Sequence, residues 1–337
     1  MDLLSSILRD LRLESVLMSV GEFGAPWGIE KARVEGFAPF HIVLEGNCLF
    51  RHENGEAVEL VPGDLVLLAH GDPHWLQSDA AAPTVPFSEV LAANGGDASP
   101  TARQRLEGLP RLRFGGTGAS TRMLNGVFTF GEGRRNPLTT ALPSVMHVSL
   151  SRGRNVDDWV SRSLQFLIDE TETGNPGFQT IAERTADIIF VQAVRDYLTG
   201  IPADAAGWLR ALGDPPLARA LALVHERPDH PWTIATLARK VGLSRTVFAS
   251  RFRHCVGEGV MAYVTARRMH VASQLLLNTQ RSMAEIAVSV GYESEISFSR
   301  AFRRWCGEPP GRYRRNEQGR AANPTAAVLR ALAASNS

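Results

Sequence analysis

The chain has few of the features on which secreted and membrane proteins depend. Its 337 residues include three cysteines, Cys48, Cys255 and Cys306, which lie far apart and form no CxxC pair. A disulfide framework is therefore not predicted, and the thiols are expected to be reduced. No apolar run approaches the roughly 18 residues of a membrane span, and the start MDLLSSILRD lacks the parts of a secretory signal. These absences predict a cytoplasmic protein without a membrane-spanning segment.

A large excess of charge of either sign is also missing. Charged residues make up 21% of the chain and the net charge is +1, which alone indicates no polyanionic partner. The charge is unevenly distributed, however. Between Trp232 and Arg315 there are 14 Lys and Arg against five Glu and no Asp, a net +9, which leaves −8 for the remainder. The C-terminal third is therefore the part that can attract a polyanion.

The length and the change of pattern along the chain predict two domains. Short apolar runs broken by turn signals such as Asn54-Gly55 predict antiparallel strands up to about Leu68, and TRMLNGVFTF and SVMHVSL predict more. Helical spacing in 156–171 and 180–198, interrupted by Gly-Asn-Pro-Gly, then predicts a helical hairpin. We expect a first domain in 1–200, a linker in 201–214, an all-α domain in 215–316 and a flexible tail in 317–337.

A repeat within the C-terminal third predicts its architecture. Offset by 49 positions, TIATLARKVGL matches SMAEIAVSVGY; the offset then becomes 50 and pairs Phe248 and Phe252 with Phe298 and Phe302. In each copy a Thr or Ser begins a short helix, a glycine provides a left-handed turn residue, and a second helix follows. The sequence therefore predicts two helix-turn-helix units, the second with a turn one residue longer.

The second helix of each unit has an apolar face and an opposite face suited to DNA. The opposite faces carry Thr246, Ala249, Ser250 and Arg253 in the first unit, and Ile296, Arg300, Arg303 and Arg304 in the second. In the major groove, small or β-branched residues can meet base edges and thymine methyls, and arginines can reach guanine or phosphate. One basic face alone is as often merely solvated. Its repetition within a segment of charge +9 favours DNA binding.

The C-terminal hundred residues resemble the DNA-binding domain of the AraC/XylS family of transcriptional regulators. The resemblance rests on ATLARKVGLSRTVFASRFR, YVTARRMHVASQLL and EIAVSVGYESEISFSRAFRRWCGEPPGRYR. It implies base contacts at Thr246, Ala249, Ser250, Glu295, Ile296, Ser297 and Arg300. Arg300 is the strongest candidate, because a bidentate arginine–guanine pair contributes about 1 to 3 kcal/mol of discrimination. Phosphate contacts are expected from Arg245, Arg267, Arg304 and Arg312.

The N-terminal run from FHIVLEG to GDPHWL is similar to a cupin barrel, specifically to the cupin-like sensor domains that precede AraC-type DNA-binding domains. Gly63-Asp64, Gly71 and His74 follow the second cupin motif. The first motif has two histidines separated by one residue, but here His41 is followed at that spacing by Val43. The barrel is therefore expected to depart from the standard metal-binding pattern.

Two interpretations of the barrel's polar residues remain open. An iron, zinc or manganese site would use His41, Glu45 and His74, with His147 as a further ligand. Alternatively, the same side chains line an effector pocket without metal, which the missing histidine favours. On this second interpretation no cofactor is predicted.

Regulation by a thiol and by dimerisation can also be considered from the sequence. Some sensors of this class carry a cysteine before the glycine of a later strand, where this chain has Asn125. Cys48 is then the only thiol of the first domain, which excludes an intradomain disulfide but not single-thiol modification or a bridge between subunits. The helical hairpin either covers the barrel or, as the resemblance implies, forms the interface of a homodimer.

The predicted fold class is α+β, with a cupin-like β-barrel and helical hairpin followed by an all-α double helix-turn-helix domain. The predicted function is sequence-specific transcriptional regulation, with activation implied by the family resemblance. Its expected partners are double-stranded DNA, RNA polymerase, an unknown small-molecule effector and a second copy of the chain. Two alternatives are a metal-dependent cupin enzyme with an accessory helical domain, and a regulator whose barrel serves only to dimerise. The regulator hypothesis assigns no catalytic residue.

Overall fold

The computed structural model describes residues 13–55, 57–95, 109–130, 141–149, 176–200 and 213–320, with a few single positions elsewhere. Two compact units divide between Gly200 and Ile201. Most of the expected first hairpin helix (156–171), of the linker (201–214) and of the tail (317–337) lies outside the described residues. Within the described part of the chain, no helix is both long and apolar enough to cross a membrane.

The first unit contains two β-sheets. The larger has the strand order β11 (Met146–Ser149), β6 (Asp64–Leu67), β3 (Phe37–Glu45), β10 (Ser120–Phe130), β1 (Leu13–Gly24) and β9 (Arg111–Gly115). The smaller has the order β5 (Ala57–Leu60), β4 (Cys48–His52), β7 (His74–Gln77), β2 (Gly28–Lys31) and β8 (Val85–Pro86). The described strand pairs are antiparallel except β1 with β9 and β2 with β8. The predicted strand-rich region is confirmed.

An apolar core fills the space enclosed by the sheets. Because successive strand residues point to opposite faces, alternate residues of each strand contribute to it. It includes Phe23, Trp27, Ile29, Val43, Phe50, Val66, Leu68, Leu76 and Met123. One short helix in this unit, α1 (Phe87–Ala93), was not predicted. Its seven residues and single buried side chain, Val90, are too few to produce a helical pattern in the sequence.

Helix α2 (Phe178–Gly200) covers the outer face of the larger sheet. Its Phe190 ring lies 5.0 Å from Phe128 and 5.8 Å from Phe130, measured between ring centres. At β1, Ser15 Oγ donates to the Glu183 carbonyl oxygen at 2.6 Å and Ser15 N to the Asp187 carboxylate at 3.0 Å. The second helix of the expected hairpin is thus confirmed as a cover for the barrel, while its exposed side retains apolar residues.

In the described part of the second unit, from residue 215 onward, the regular secondary structure consists of helices, as predicted. Its helices are α3 (Pro215–Glu226), α4 (Ile234–Lys240), α5 (Arg245–Val256), α6 (Val260–Asn278), α7 (Met283–Ser289), α8 (Glu295–Cys306) and α9 (Pro310–Arg320). The pairs α4–α5 and α7–α8 are the two helix-turn-helix units, and α6 joins them. The second turn is one residue longer than the first, which confirms the prediction made from the change of offset in the repeat.

Candidate nucleic-acid interface and buried polar cluster

Each helix-turn-helix unit starts with a capping box, in which side chains satisfy the free N–H groups of the first helical turn. In α4 the Thr233 hydroxyl accepts from Thr236 N at 3.1 Å, and Thr233 N donates to Thr236 Oγ1 at 2.9 Å. In α7, Ser282 N donates to a Glu285 carboxylate oxygen at 2.7 Å. Hydrogen bonds from the Ser282 backbone and hydroxyl lower the pKa of Glu285. Both helix starts are therefore fixed by local chemistry, as predicted.

The second helix of each unit starts at a serine cap, ends at a glycine and contains two buried phenylalanines. Ser244 and Ser294 cap α5 and α8, and both helices end at a glycine with φ near +85°, Gly257 at 85° and Gly307 at 88°. Phe248, Phe252, Phe298 and Phe302 are fully buried. This pattern confirms the predicted division of α5 and α8 into a core face and an outer face.

The repeat extends one helix further than the sequence interpretation recognised. Tyr263 in α6 lies against Phe252 with 5.7 Å between ring centres, and Tyr313 in α9 lies against Phe302 at 5.4 Å. The offset of 50 therefore continues from GEGVMAY to GEPPGRY, which could have indicated this match. Each unit is therefore a three-helix module. Its second helix, α5 or α8, is the recognition helix, and a tyrosine of the helix that follows packs against the phenylalanines of the recognition helix.

The outer faces of α5 and α8 present the predicted base-contacting residues to solvent. Ile296 is 68% exposed, although an isoleucine contributes to stability mainly when buried. The remaining predicted contacts are also exposed, except for the partly buried Ala249: Thr246, Ser250, Arg253, Glu295, Ser297, Arg300, Arg303 and Arg304. These side chains occupy one continuous side of each helix, which leaves them accessible to a groove.

Two details of these faces were not evident from the sequence. The Ser297 hydroxyl donates to the Ser294 carbonyl oxygen and accepts from the Ser294 hydroxyl, both at 2.9 Å, so it already takes part in the helix cap. At the matching position of α5, Val247 is 51% exposed and offers an apolar surface that the sequence interpretation missed. The repeat could have identified it, because Val247 aligns with Ser297.

The predicted phosphate contacts differ in their surroundings. Arg245 and Arg312 are exposed, and Arg312 lies 3.5 Å from the Glu308 carboxylate. Arg267 is instead partly buried and donates to the His225 carbonyl oxygen at 3.4 Å. We therefore expect Arg267 to contribute to the fold of the module rather than to reach a phosphate. This structural role could not be read from the sequence, since it depends on where α6 meets α3.

One arginine on α6 joins the two modules. Arg268 Nε donates to the Pro228 carbonyl oxygen at 2.7 Å, and its Nη2 donates to the His230 carbonyl oxygen at 2.9 Å. Its guanidinium also lies over the ring of Tyr292, 5.7 Å from the centre. Arg268 thus connects the loop before α4 to the turn before α8, which fixes the relative positions of the two recognition helices.

In the first unit, two of the expected effector residues meet inside the barrel. His41 on β3 and His74 on β7 are both 1% exposed, and their Nε2 atoms are 2.9 Å apart. His74 Nδ1 donates to the Asp72 carbonyl oxygen at 2.9 Å, so its Nε2 must accept from His41. His41 Nδ1 lies 2.7 Å from the Asn125 side-chain oxygen, within hydrogen-bond distance. Asn125, which stands at the position of the cysteine in some sensors, is therefore part of this chain of hydrogen bonds.

Burial keeps this histidine pair neutral. Desolvation, reinforced by the nearby Lys31 ammonium, lowers the pKa of His74 to about 3 and lowers the pKa of His41 well below its usual value. The two rings are thus engaged with each other and with Asn125 and Asp72 at neutral pH. A metal bound between them would have to separate this pair.

The structure does not bring Glu45 or His147 to the histidine pair. The register between β3 and β10 shifts after Val43, so that Glu45 faces Arg122 and forms an ion pair with it at 3.2 Å. This irregularity is why the alternation expected from His41 fails at Glu45. His147 on β11 is more exposed than the histidine pair, and its Nε2 lies 3.1 Å from the Asp64 carboxylate. Of the residues in the metal interpretation, only His41 and His74 are therefore in contact.

The single thiol of the barrel is shielded. Cys48 is buried in the apolar core, and this burial raises the pKa of Cys48 to about 12. A thiol reacts as its thiolate. Cys48 is therefore poorly suited to act as a redox sensor or to form a bridge between subunits.

Comparison with known proteins agrees with both parts of the chain. A family model described as a cupin matches residues 2–199, and one described as a helix-turn-helix domain matches residues 237–316. The chain is 30% identical over 315 residues to the HTH-type transcriptional regulator AlkR of Acinetobacter baylyi, covering 93% of this chain and 99% of that protein. It is 32% identical over 323 residues to an AraC-like transcription regulator of Streptomyces lividans, covering 94% and 99%. The chain belongs to the family of AraC-like transcriptional regulators.

Membership of the AraC-like family assigns the two units their general roles. The cupin domain precedes an AraC-type DNA-binding domain, so the protein is a DNA-binding transcriptional regulator, and its full-length relatives are named as regulators. Among solved structures, the DNA-binding domain of AdpA in complex with a target DNA is 29% identical. That match covers 31% of this chain and 95% of that chain, with a TM-score of 0.30.

Proposed function

We propose that this AraC-like regulator reads DNA by placing α5 and α8 in successive major-groove segments, about one helical turn apart. The observation that carries this proposal is the duplicated exposed face of the two helices on modules with separate, fully buried aromatic cores. The proposed base contacts are Thr246, Ala249 and Ser250 on α5, with Glu295, Ile296 and Arg300 on α8; Arg253 and Arg303 also face the DNA. Arg245, Arg304 and Arg312 contribute phosphate contacts.

The two helices are expected to read different features. The face of α5 is rich in methyl and hydroxyl groups, and it suits thymine methyls and water-mediated contacts. The face of α8 combines Ile296 with Arg300 one turn later, which suits a thymine methyl followed by a guanine. The operator should therefore be an asymmetric site with a guanine-dependent half and a half read mainly through apolar contacts.

We further propose that the cupin domain forms a homodimer and responds to a small molecule, with activation of transcription through RNA polymerase as the outcome. Ile181 and Ile188 on α2 remain 46% and 49% exposed although α2 already covers the barrel. An apolar side of this kind supports a subunit interface. The polar cluster around His41 and His74, buried in an otherwise apolar interior, supports an effector site in the barrel. We assign this cluster no catalytic role, since its ring nitrogens are already engaged.

The test is selection of binding sites from a random DNA library with the full-length protein, comparing wild type with Arg300→Ala. We expect wild type to enrich discrete sites and Arg300→Ala to lose preference at one guanine position, with a cost of about 1 to 3 kcal/mol there. Arg219→Ala, which removes an exposed arginine from α3, is the matched control and should select the same sites as wild type. Equal selectivity of wild type and Arg300→Ala would contradict the assignment of α8.

A further inference from the structure

The first turn of α5 carries an apolar side chain that its module does not bury. Val247 is 51% exposed. The Ser244 hydroxyl, which caps the helix, accepts a hydrogen bond from Val247 N at 3.3 Å, so Val247 is the third residue of α5. A single exposed valine is common on protein surfaces, and its position therefore decides what it signifies. The first turn is the part of a recognition helix that contacts base edges in the major groove.

Val247 is continuous with the face that we propose to read DNA. It follows Thr246 directly and lies one turn before Ser250, and residues three or four positions apart are neighbours on a helix surface. Both Thr246 and Ser250 are exposed. On the other side of Val247 lies Arg251, whose Nη2 is 2.6 Å from the Asp214 carboxylate. Val247 is therefore the exposed group between a proposed base contact and an arginine that already has a partner.

Neither the core nor helix formation accounts for a valine at this position. Valine stabilises a protein mainly through burial, and a β-branched side chain is slightly unfavourable in a helix. The matching residue of the second module is Ser297, whose hydroxyl bonds to the Ser294 hydroxyl and carbonyl oxygen, both at 2.9 Å. In α8 the exposed apolar residue of the first turn is Ile296, one position earlier and 68% exposed. Each recognition helix thus exposes one apolar β-branched side chain in its first turn, but at a different position.

We propose that Val247 is a specificity-determining residue that packs against the 5-methyl group of a pyrimidine. The thymine methyl is the apolar group that a base pair presents in the major groove, whereas phosphate oxygens accept from donors and cations. 5-Methylcytosine carries its methyl group on the same ring atom, so this base in place of thymine offers Val247 the same contact. The assignment rests on the proposed reading of DNA by α5. It makes binding in that half of the operator dependent on pyrimidine methyl groups, including that of a methylated cytosine.

The experiment measures the affinity of the full-length protein for a selected DNA site in which each thymine is replaced in turn by uracil. The replacement removes one methyl group and keeps the hydrogen-bonding edge of the base. At one position we expect wild type to lose about fourfold in affinity, equivalent to about 0.8 kcal/mol for a methyl-sized group, and Val247→Ala to lose nothing. Val247→Ile, which keeps a β-branched apolar side chain, should retain the loss. The matched control Val288→Ala removes a valine that is 68% exposed on α7, and it should respond to each uracil as wild type does.

A second comparison places cytosine or 5-methylcytosine at the sensitive position. Wild type should bind the methylated site about fourfold more tightly, and Val247→Ala should bind both sites equally.

Three outcomes would overturn the assignment of Val247. Every uracil replacement has the same effect on wild type and Val247→Ala, or wild type does not distinguish the two cytosines. The third is a melting temperature of Val247→Ala clearly below that of Val288→Ala, which would show a structural role, because both valines are at least half exposed. Failure of wild type to select any site would instead remove the proposed reading of DNA, and this assignment with it.

Discussion

Gly291 and Asp229 approach so closely that a Cβ on Gly291 would lie 2.4 Å from the Asp229 carbonyl oxygen. Gly291 is in the turn of the second helix-turn-helix unit, and Asp229 is in the loop before the first. Together with Arg268, which donates to the carbonyl oxygens of Pro228 and His230 in the same loop, this contact joins the two modules. The spacing of the recognition helices is thus fixed by close backbone packing and by hydrogen bonds.

Replacing this glycine should therefore cost more than replacing its counterpart in the first unit. Gly242 and Gly291 both have positive φ, 73° and 80°, so alanine at either position should lose about 1 kcal/mol to backbone strain. A Cβ at Gly242 meets nothing within 4 Å, whereas Gly291→Ala must also displace the Asp229 loop. We expect Gly291→Ala to lower the free energy of unfolding by at least twice as much as Gly242→Ala in urea denaturation. Equal losses would show that the loop adjusts freely.

Asp214 has two roles, since it caps α3 and forms an ion pair with Arg251 of α5. Two substitutions can separate the contributions of these roles to stability. Asp214 caps α3 by accepting from Leu217 N at 3.3 Å, and its other oxygen lies 2.6 Å from Arg251. Asparagine caps a helix about as well as aspartate, so Asp214→Asn should lose only the half-exposed ion pair, about 1 kcal/mol or less. Asp214→Ala should lose the cap as well, about 1 kcal/mol more. Thermal unfolding of the two variants checks the order, and a larger effect of Asp214→Asn would contradict it.

The stability of the barrel should depend on pH through Lys31. Burial lowers the pKa of Lys31 from 10.5 to about 8 in the folded protein. Between these two values the unfolded chain binds the proton and the folded protein does not, so the free energy of unfolding contributed by this group rises with pH across this window. The difference in melting temperature between Lys31→Met and wild type, positive at neutral pH, should therefore shrink as the pH rises from about 8 to about 10.5. A difference that stays constant over this range would show that Lys31 is not desolvated.

The three thiols should differ in reactivity in the folded protein. Cys48 and Cys255 are buried, Cys306 is partly exposed, and burial raises the pKa of Cys48 to about 12. Alkylation with iodoacetamide under native conditions should therefore modify Cys306 first and leave Cys48 unmodified until the protein unfolds. Peptide mass spectrometry before and after denaturation measures this order. Early labelling of Cys48 would restore a thiol-based switch as a hypothesis.

Much of the second unit could be predicted from local sequence. Thr233 and Ser282 mark helix starts, Gly242 and Gly291 require positive φ, and the 49- and 50-residue offsets align the two modules. These signals act within a few residues, and the repetition makes each copy a check on the other. The same reasoning did not recognise that Ser297 is used as a cap or that Val247 is exposed, because both depend on how the helix sits on its core.

The interior of the barrel was less predictable. His41 and His74 were identified as candidates, but their direct contact depends on strands 33 residues apart meeting across the core. Alternation predicts Glu45 on the same face as His41, but a register irregularity after Val43, which alternation does not reveal, pairs Glu45 with Arg122. Nothing near Lys31 in the sequence indicates that it is partly buried.

The sequence by itself determined the order of the elements, the duplicated helix-turn-helix modules and the residues on their outer faces, because capping, glycine turns and helical periodicity are local properties. The tertiary structure decided which polar groups are paired and which are left unpaired. It placed Arg267 and Arg268 against backbone carbonyl groups of the fold and brought His41 into direct contact with His74, with Asn125 and the Asp72 carbonyl at the two ends. Within the described part of the chain it left the Lys31 ammonium without an ion pair and the Trp27 N–H without an acceptor. Burial and hydrogen bonding arise from contacts between distant segments, and only these contacts distinguish a structural polar residue from one available to a ligand.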